Sequence, residues 1–103
     1  MRYEIDFADE ANEDLERYRA YDRIAILDLI EKHLRHEPTR ESKSRIKALW
    51  GLLRPQYRLR VGDIRVFYDV REGVVEVIAV VEKADAAEWL EREGIKAESE
   101  SKP

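Results

Sequence analysis

The sequence predicts one α+β domain: an N-terminal strand, an antiparallel helix hairpin, a three-stranded antiparallel meander and a C-terminal helix. Three observations carry this. Apolar residues alternate through Tyr57–Val61, Ile64–Arg71 and Val74–Val81, and only Gly62-Asp63 and Glu72-Gly73 part these runs; both dipeptides suit two-residue hairpin turns. Apolar residues at helical spacing fill the region between Ala8 and Leu34. The chain has 103 residues, enough for one hydrophobic core but not for two.

Each element has its own signal. Arg2 to Phe7 sets Tyr3, Ile5 and Phe7 against Arg2, Glu4 and Asp6, the alternation of a half-buried strand. Ala8 to Arg19 spaces Ala11, Leu15 and Tyr18 for a helix and places acids in its first turn. Asp22 is the expected N-cap of a second helix. Its stripe is Ile24, Leu27, Ile30 and Leu34, widened by Ile26 and Leu29, and Pro38 closes it. A short link between two helices makes them an antiparallel hairpin. Ser42 to Leu49 is expected to add a helical turn or two, and Gly51 and Pro55 to mark a loop anchored on the core by Trp50. Ala84 to Gly94 reads as a helix packed at the sheet edge through Ala87 and Leu90, with Gly94 as its C-cap. The domain is expected over residues 1–95, with a polar, disordered tail over 96–103.

Two-residue turns fix the meander's register: 60 opposite 65, 58 opposite 67, 69 opposite 76, 67 opposite 78 and 65 opposite 80. That register makes one face almost wholly apolar, from Tyr57, Leu59 and Val61 to Val77, Ala79 and Val81. The other face carries Arg58, Arg60, Arg65, Phe67, Asp69, Glu76, Ile78 and Val80.

Composition narrows the function. Hydrophobic residues make up 44% and charged residues 41%, which describes a folded, heavily charged chain. Without cysteine there is no disulfide framework and no thiolate metal site. No basic start leads into an apolar stretch, and no run approaches the ~20 apolar residues that span a bilayer, so the expected location is the cytoplasm, with no membrane partner. His33 and His36 lie three apart but lack a third ligand, and no metal or other cofactor is expected.

Net charge is −4, but it is unevenly distributed. Residues 40–71 hold nine basic residues against three acidic ones; residues 1–39 hold six against eleven, and residues 72–103 four against nine. A basic middle between acidic ends is a phosphate-binding footprint. Arg60 and Arg65 stand opposite each other with Arg58 on the same face. Like charges so placed cost a few tenths to about 1 kcal/mol unless carboxylates or a bound anion offset them. On spacing alone, a phosphate site and a solvated face with paired arginines both remain open.

The stretches YRLRVGDIRVFYDV (Tyr57–Val70) and VEVIAVVEKADAAEWL (Val75–Leu90) resemble the RelE/ParE superfamily of type II toxin–antitoxin toxins, and the RelE-like messenger RNA interferases in particular. The element order matches as well, so the resemblance covers about Tyr3 to Gly94. It implies a ribosome-dependent endoribonuclease in which a 2′-hydroxyl attacks the adjacent phosphate. Arg58 and Arg60 then take the places of two basic residues on the first meander strand. Arg65 takes that of the arginine steadying the scissile phosphate, and Lys83 that of a basic residue after the last strand. RelE carries a tyrosine where this chain has Trp89, and an indole cannot act as a base. Trp89 therefore either stacks on an RNA base or packs into the core, and Glu76 or Asp69 become the acid–base candidates. Arg54 and Lys47 are expected to add RNA contacts.

The resemblance further implies a cognate antitoxin that inhibits the toxin by wrapping a flexible segment around it, with operator DNA reached only through that complex. Two other readings share the fold: a ParE-type inhibitor of DNA gyrase, and a catalytically weak module that acts mainly through its antitoxin.

Overall fold

The computed structural model describes residues 1–97. In chain order the elements are β1 (Glu4–Phe7), α1 (Asp9–Glu16), α2 (Ala20–Leu34), β2 (Ile46–Ala48), β3 (Leu52–Arg54), β4 (Tyr57–Val61), β5 (Ile64–Arg71), β6 (Val74–Glu82), α3 (Lys83–Glu93) and β7 (Ile95–Lys96). Five strands form one sheet in the order β1-β6-β5-β4-β2, and β3 pairs with β7 in a separate ribbon. The predicted meander is β4-β5-β6. Glu72 (φ 45°) and Gly73 (φ 82°) both take the left-handed backbone that a type I′ turn requires. β1 pairs parallel to β6, Glu4 with Val74 through Phe7 with Val77.

The helix hairpin covers one face of this sheet. Ala11 and Leu15 of α1 and Ile26, Ile30 and Leu34 of α2 pack on Leu59, Val66, Tyr68, Val75, Val77 and Val80. α2 starts earlier than expected: Arg19 is its N-cap and Asp22 lies in its first turn. A carboxylate is favourable at either place, so composition alone could not separate them. Ile24, expected in the core stripe, is exposed. With apolar residues at 24, 26, 27, 29 and 30 the helix is apolar nearly all round, and packing against the sheet chose the row spaced by four.

The register changes within β6. Arg60 faces Arg65, Arg58 faces Phe67 and Asp69 faces Glu76, as expected, but Phe67 pairs with Ala79 and Arg65 with Val81. Ile78 is the extra residue of a β-bulge between the pairs Tyr68–Val77 and Phe67–Ala79. The expected pairs 67–78 and 65–80 are therefore one residue out. Val80 turns into the helix-hairpin core, while Ala79 and Val81 move to the other face. Residues 77–81 are all apolar, so alternation holds no signal of such a slip.

α3 packs on that second face rather than at the sheet edge. Trp89 is its buried residue, with Phe67, Ile78 and Ala79 beneath it and Ala86 and Leu90 alongside; Ala87, an expected contact, is exposed. Gly94 caps α3 in an extended conformation, its N–H on Leu90 O at 2.8 Å. Beyond it Lys96 pairs with Leu52, and Ala97 N–H donates to Gly51 O at 2.9 Å. Ordered chain thus crosses the expected boundary at residue 95; the rest of the expected tail, 98–103, lies outside the described residues.

The β2 edge and the part of β6 beyond β1 are both covered locally, which suppresses strand pairing there. The segment expected to be helical, Ser42–Leu49, supplies β2 instead. On its outer side Glu41 accepts Ala48 N–H at 3.0 Å and Ser42 Oγ accepts Ile46 N–H at 3.3 Å. β1 ends at the Val77 pair, so the rest of β6 is left to α1, where Asp14 Oδ2 accepts Val80 N–H at 2.8 Å.

Asp14 is 3% exposed, and burial raises its pKa above the ordinary 3.8 despite the Val80 N–H and Arg17. The folded state then holds its proton more tightly than the unfolded state, so stability falls as pH rises from 3.8 through the folded value. Chemical denaturation should show Asp14→Ala losing about 1–3 kcal/mol by orphaning a buried N–H. Asp14→Asn, which keeps an acceptor, should lose less and should remove this fall of stability with pH.

Candidate nucleic-acid interface

The second face of the sheet is divided between apolar and charged rows. At the end where β6 runs into α3, Val81, Arg65 and Arg60 stand side by side across β6, β5 and β4. Arg45, just before β2, completes the row. Its carbonyl accepts Arg60 N–H at 2.8 Å, and its Nη1 donates to Arg60 O at 3.3 Å. The next row is Ala79, Phe67, Arg58 and Lys47. The sheet thus gathers Lys47, Arg58, Arg60 and Arg65 into one band, which Arg45 joins by its backbone at the β2 edge while its side chain turns toward α2.

Arg65 is the most tightly held of the five. It is 8% exposed, and its Nη1 donates to Gly62 O at 2.8 Å and Ile64 O at 3.1 Å, both at the β4–β5 turn. Arg58 is half-buried, and its Nε is shut off from water with no partner. Burial, then the charges of Arg65 and Arg60, lower its pKa. Among the described residues none of the five makes an ion pair, whereas Arg17, Arg19, Arg35, Arg40, Arg54, Arg71 and Arg92 each meet a carboxylate. A buried guanidinium with an unused donor and only cations around it is a site poised for an anion.

The expected acid–base pair lies elsewhere. Asp69 is four residues along β5 from Arg65, about 13 Å at strand rise. It is 1% exposed, and its Oδ1 accepts Gln56 N–H at 2.8 Å. Arg54 Nη1 reaches both Asp69 Oδ2, at 3.5 Å, and Glu76 Oε1, at 3.0 Å. Arg71 approaches Asp69 from the other side at 3.6 Å. Asp69 and Glu76 are therefore partners of arginines that hold the far end of the sheet, and Arg54, expected to bind RNA, is neutralised there. Lys83 is exposed as the first residue of α3, and its backbone N–H donates to Asp63 O at 2.7 Å.

Of the two readings open for Trp89 the structure shows core packing, whereas Trp50 departs from its expected place. Trp89 is 3% exposed and stacks on Phe67, with centroids 4.9 Å apart and planes 4° apart, while its Nε1 donates to Glu10 at 2.8 Å. Its ring is covered and offers no platform to a base. Trp50, the expected core anchor, is 87% exposed at the turn after β2. Leu49 is the residue there that packs against the Phe67 cluster. Arg45 was not singled out from the sequence. The signal was present in the alternation Arg45-Ile46-Lys47-Ala48, which the helical expectation for this segment concealed.

A sheet of this order, with its helix hairpin on one face and arginines on the other, agrees with what comparison with known proteins shows. The profile described as "ParE toxin of type II toxin-antitoxin system, parDE" matches residues 5–87, and the chain belongs to that family. Solved structures agree on the fold. The RelBE complex of Mycobacterium tuberculosis aligns with a TM-score of 0.68 at 23% identity, over 80% of this chain and 99% of that one. The archaeal RelE–RelB complex of Pyrococcus horikoshii gives 0.65 at 23%, over 81% and 97%. A mutant of Escherichia coli toxin RelE in the free state gives 0.62 at 26%, over 85% and 90%. A comparison with curated proteins gives no significant match.

The contrast between the tryptophans can be read in stability. Trp89→Ala should cost about 3–5 kcal/mol as a large cavity in the second core, and Trp50→Ala should stay within about 0.5 kcal/mol as a surface change. Thermal denaturation of both variants beside the wild type checks this.

Proposed function

We propose that this toxin is a ribosome-dependent messenger RNA endoribonuclease, using 2′-hydroxyl attack on the adjacent phosphate to leave a cyclic phosphate and a 5′-hydroxyl. The observation that carries this reading is the band of cations without carboxylate partners. In-line attack builds negative charge on the phosphorane oxygens, and fixed guanidinium groups are the side chains best suited to stabilise it. Arg65, pinned by the turn carbonyls, is the phosphate clamp. Arg60 stands opposite it on β4, and Lys47 stands opposite Arg58 on β2. Arg58, half-buried beside Arg65 and Arg60 with an unused donor, is placed to hydrogen-bond the departing oxygen while staying protonated. The 2′-hydroxyl proton passes to water, and the leaving oxygen takes its proton from water. Lys83 stands at the end of the band where α3 begins. No carboxylate is assigned as base, because Asp69 and Glu76 are held by Arg54.

A cognate antitoxin is the expected inhibitor. The similar structures from Mycobacterium tuberculosis and Pyrococcus horikoshii are toxin–antitoxin complexes, and an acidic segment laid over the band would neutralise it. The acidic residues of the rest of the chain account for the net charge of −4 without entering the band.

One observation favours a second reading, inhibition of DNA gyrase. Trp89 is buried and both candidate carboxylates are engaged, which leaves the band able to bind phosphates but short of a proton acceptor, and the matching profile is named for ParE. Induced expression with primer extension on an abundant message separates the two. Codon-phased cuts should accompany growth arrest, and Arg65→Ala should reduce cleavage by about 10²-fold or more, the usual cost of losing a preorganised charge donor. Arrest without cuts, together with lost supercoiling activity, would replace the ribonuclease reading with the gyrase one.

A further inference from the structure

Arg45 belongs to two places at once. Its backbone pairs with Arg60 in the cationic band, and its side chain lines a notch of about 370 Å³ between the C-terminal half of α2 and the chain entering β2. Lys32, His33, His36 and Arg40 also line the notch. Two carboxylates are present, and both are engaged. Glu37 accepts from Arg40 Nη1 at 3.1 Å, and Glu41 accepts Ala48 N–H at 3.0 Å.

Cations balancing the negative end of a helix would explain Lys32 and His33. Arg40 pairs with Glu37, but neither account explains Arg45, which comes from the connector beyond α2. The geometry of His33 points the same way: its Nε2 is enclosed without a hydrogen-bond partner. Burial chiefly, and then the charges of Arg45 and Lys32, lower its pKa, which favours the neutral imidazole beside those cations. From Arg65 through Arg60 to Arg45 is two strand spacings, about 10 Å, so one strand of nucleic acid can lie on both places.

We propose that this notch is a second phosphate subsite, which takes the RNA backbone flanking the cleaved bond as it leaves the sheet face over the β2 edge. The proposal rests on the ribonuclease reading and extends it, since it sets where the bound strand runs.

The test is binding of a labelled single-stranded RNA, 2′-O-methylated throughout to block cleavage, to the full chain by fluorescence anisotropy over a range of salt. Lys32→Gln with Arg40→Gln changes two exposed side chains outside both cores, and His33→Gln with Arg45→Gln changes the inner pair. Each double variant should weaken binding by about five- to tenfold and lower the log–log salt slope by about 0.7 per lost phosphate contact. Unchanged affinity and slope in the Lys32/Arg40 variant, with binding still lost in Arg65→Ala, would remove the notch and leave the ribonuclease reading intact. RNA binding that is absent from the wild type, or indifferent to Arg58→Ala and Arg65→Ala, would overturn the notch, while codon-phased cleavage in cells decides the ribonuclease reading separately.

Discussion

The extra residue in β6 is the constraint on which the two-sided fold depends. A strand in strict alternation would send Ala79 and Val81 into the helix-hairpin core and Val80 to the other side. With Ile78 bulged, Val75, Val77 and Val80 serve the hairpin core, and Ile78 and Ala79 serve the core under α3. β6 can do this because its second half is apolar at every position and so loses nothing by facing either way. The bulge also brings Val81 rather than Val80 beside Arg65, a side chain on the same face as the guanidinium. Asp14 completes the device by accepting the Val80 N–H beyond the end of β1.

A second consequence is the separation of charge along one face. At the α3 end the strands place the cations of the band together. At the other end Arg54 joins Asp69 and Glu76, and Gln56 ties β5 to the preceding loop through Asp69 Oδ1 and the Val70 N–H. Phe67 and Trp89 stand between, and their stacking is worth about 0.5–1.5 kcal/mol beyond the area it buries. This apolar divider keeps the carboxylates away from the arginines.

Much of this was legible beforehand, and the failures have a common cause. The β4–β5 hairpin was readable to the residue because Gly62-Asp63 admits a single register and polar residues alternate strictly on either side. That register alone placed Arg60 opposite Arg65. β2 was missed because a three-residue strand carries too little period to compete with a helical reading of Ser42–Leu49, and Arg45 was missed with it. Trp50 was misplaced because an aromatic residue has the same composition signal whether it packs or projects. Asp69 and Glu76 were credited with free carboxylates because the loop that brings Arg54 across the sheet leaves no mark in their own strands.

The sequence by itself determined the N-terminal strand, the helix hairpin, the meander with its two turns and the cluster of arginines on one face, because each is written in local periodicity or short turn chemistry; the superfamily came from the resemblance of Tyr57–Val70 and Val75–Leu90. Tertiary structure alone decided the parallel pairing of β1 with β6, the bulge at Ile78, the burial of Trp89 and the partners of Asp69. Each of these follows from which surfaces meet across the fold. Apolar stretches that satisfy more than one pairing, and charges that satisfy more than one partner, are resolved only when burial leaves a single arrangement with every enclosed backbone group satisfied.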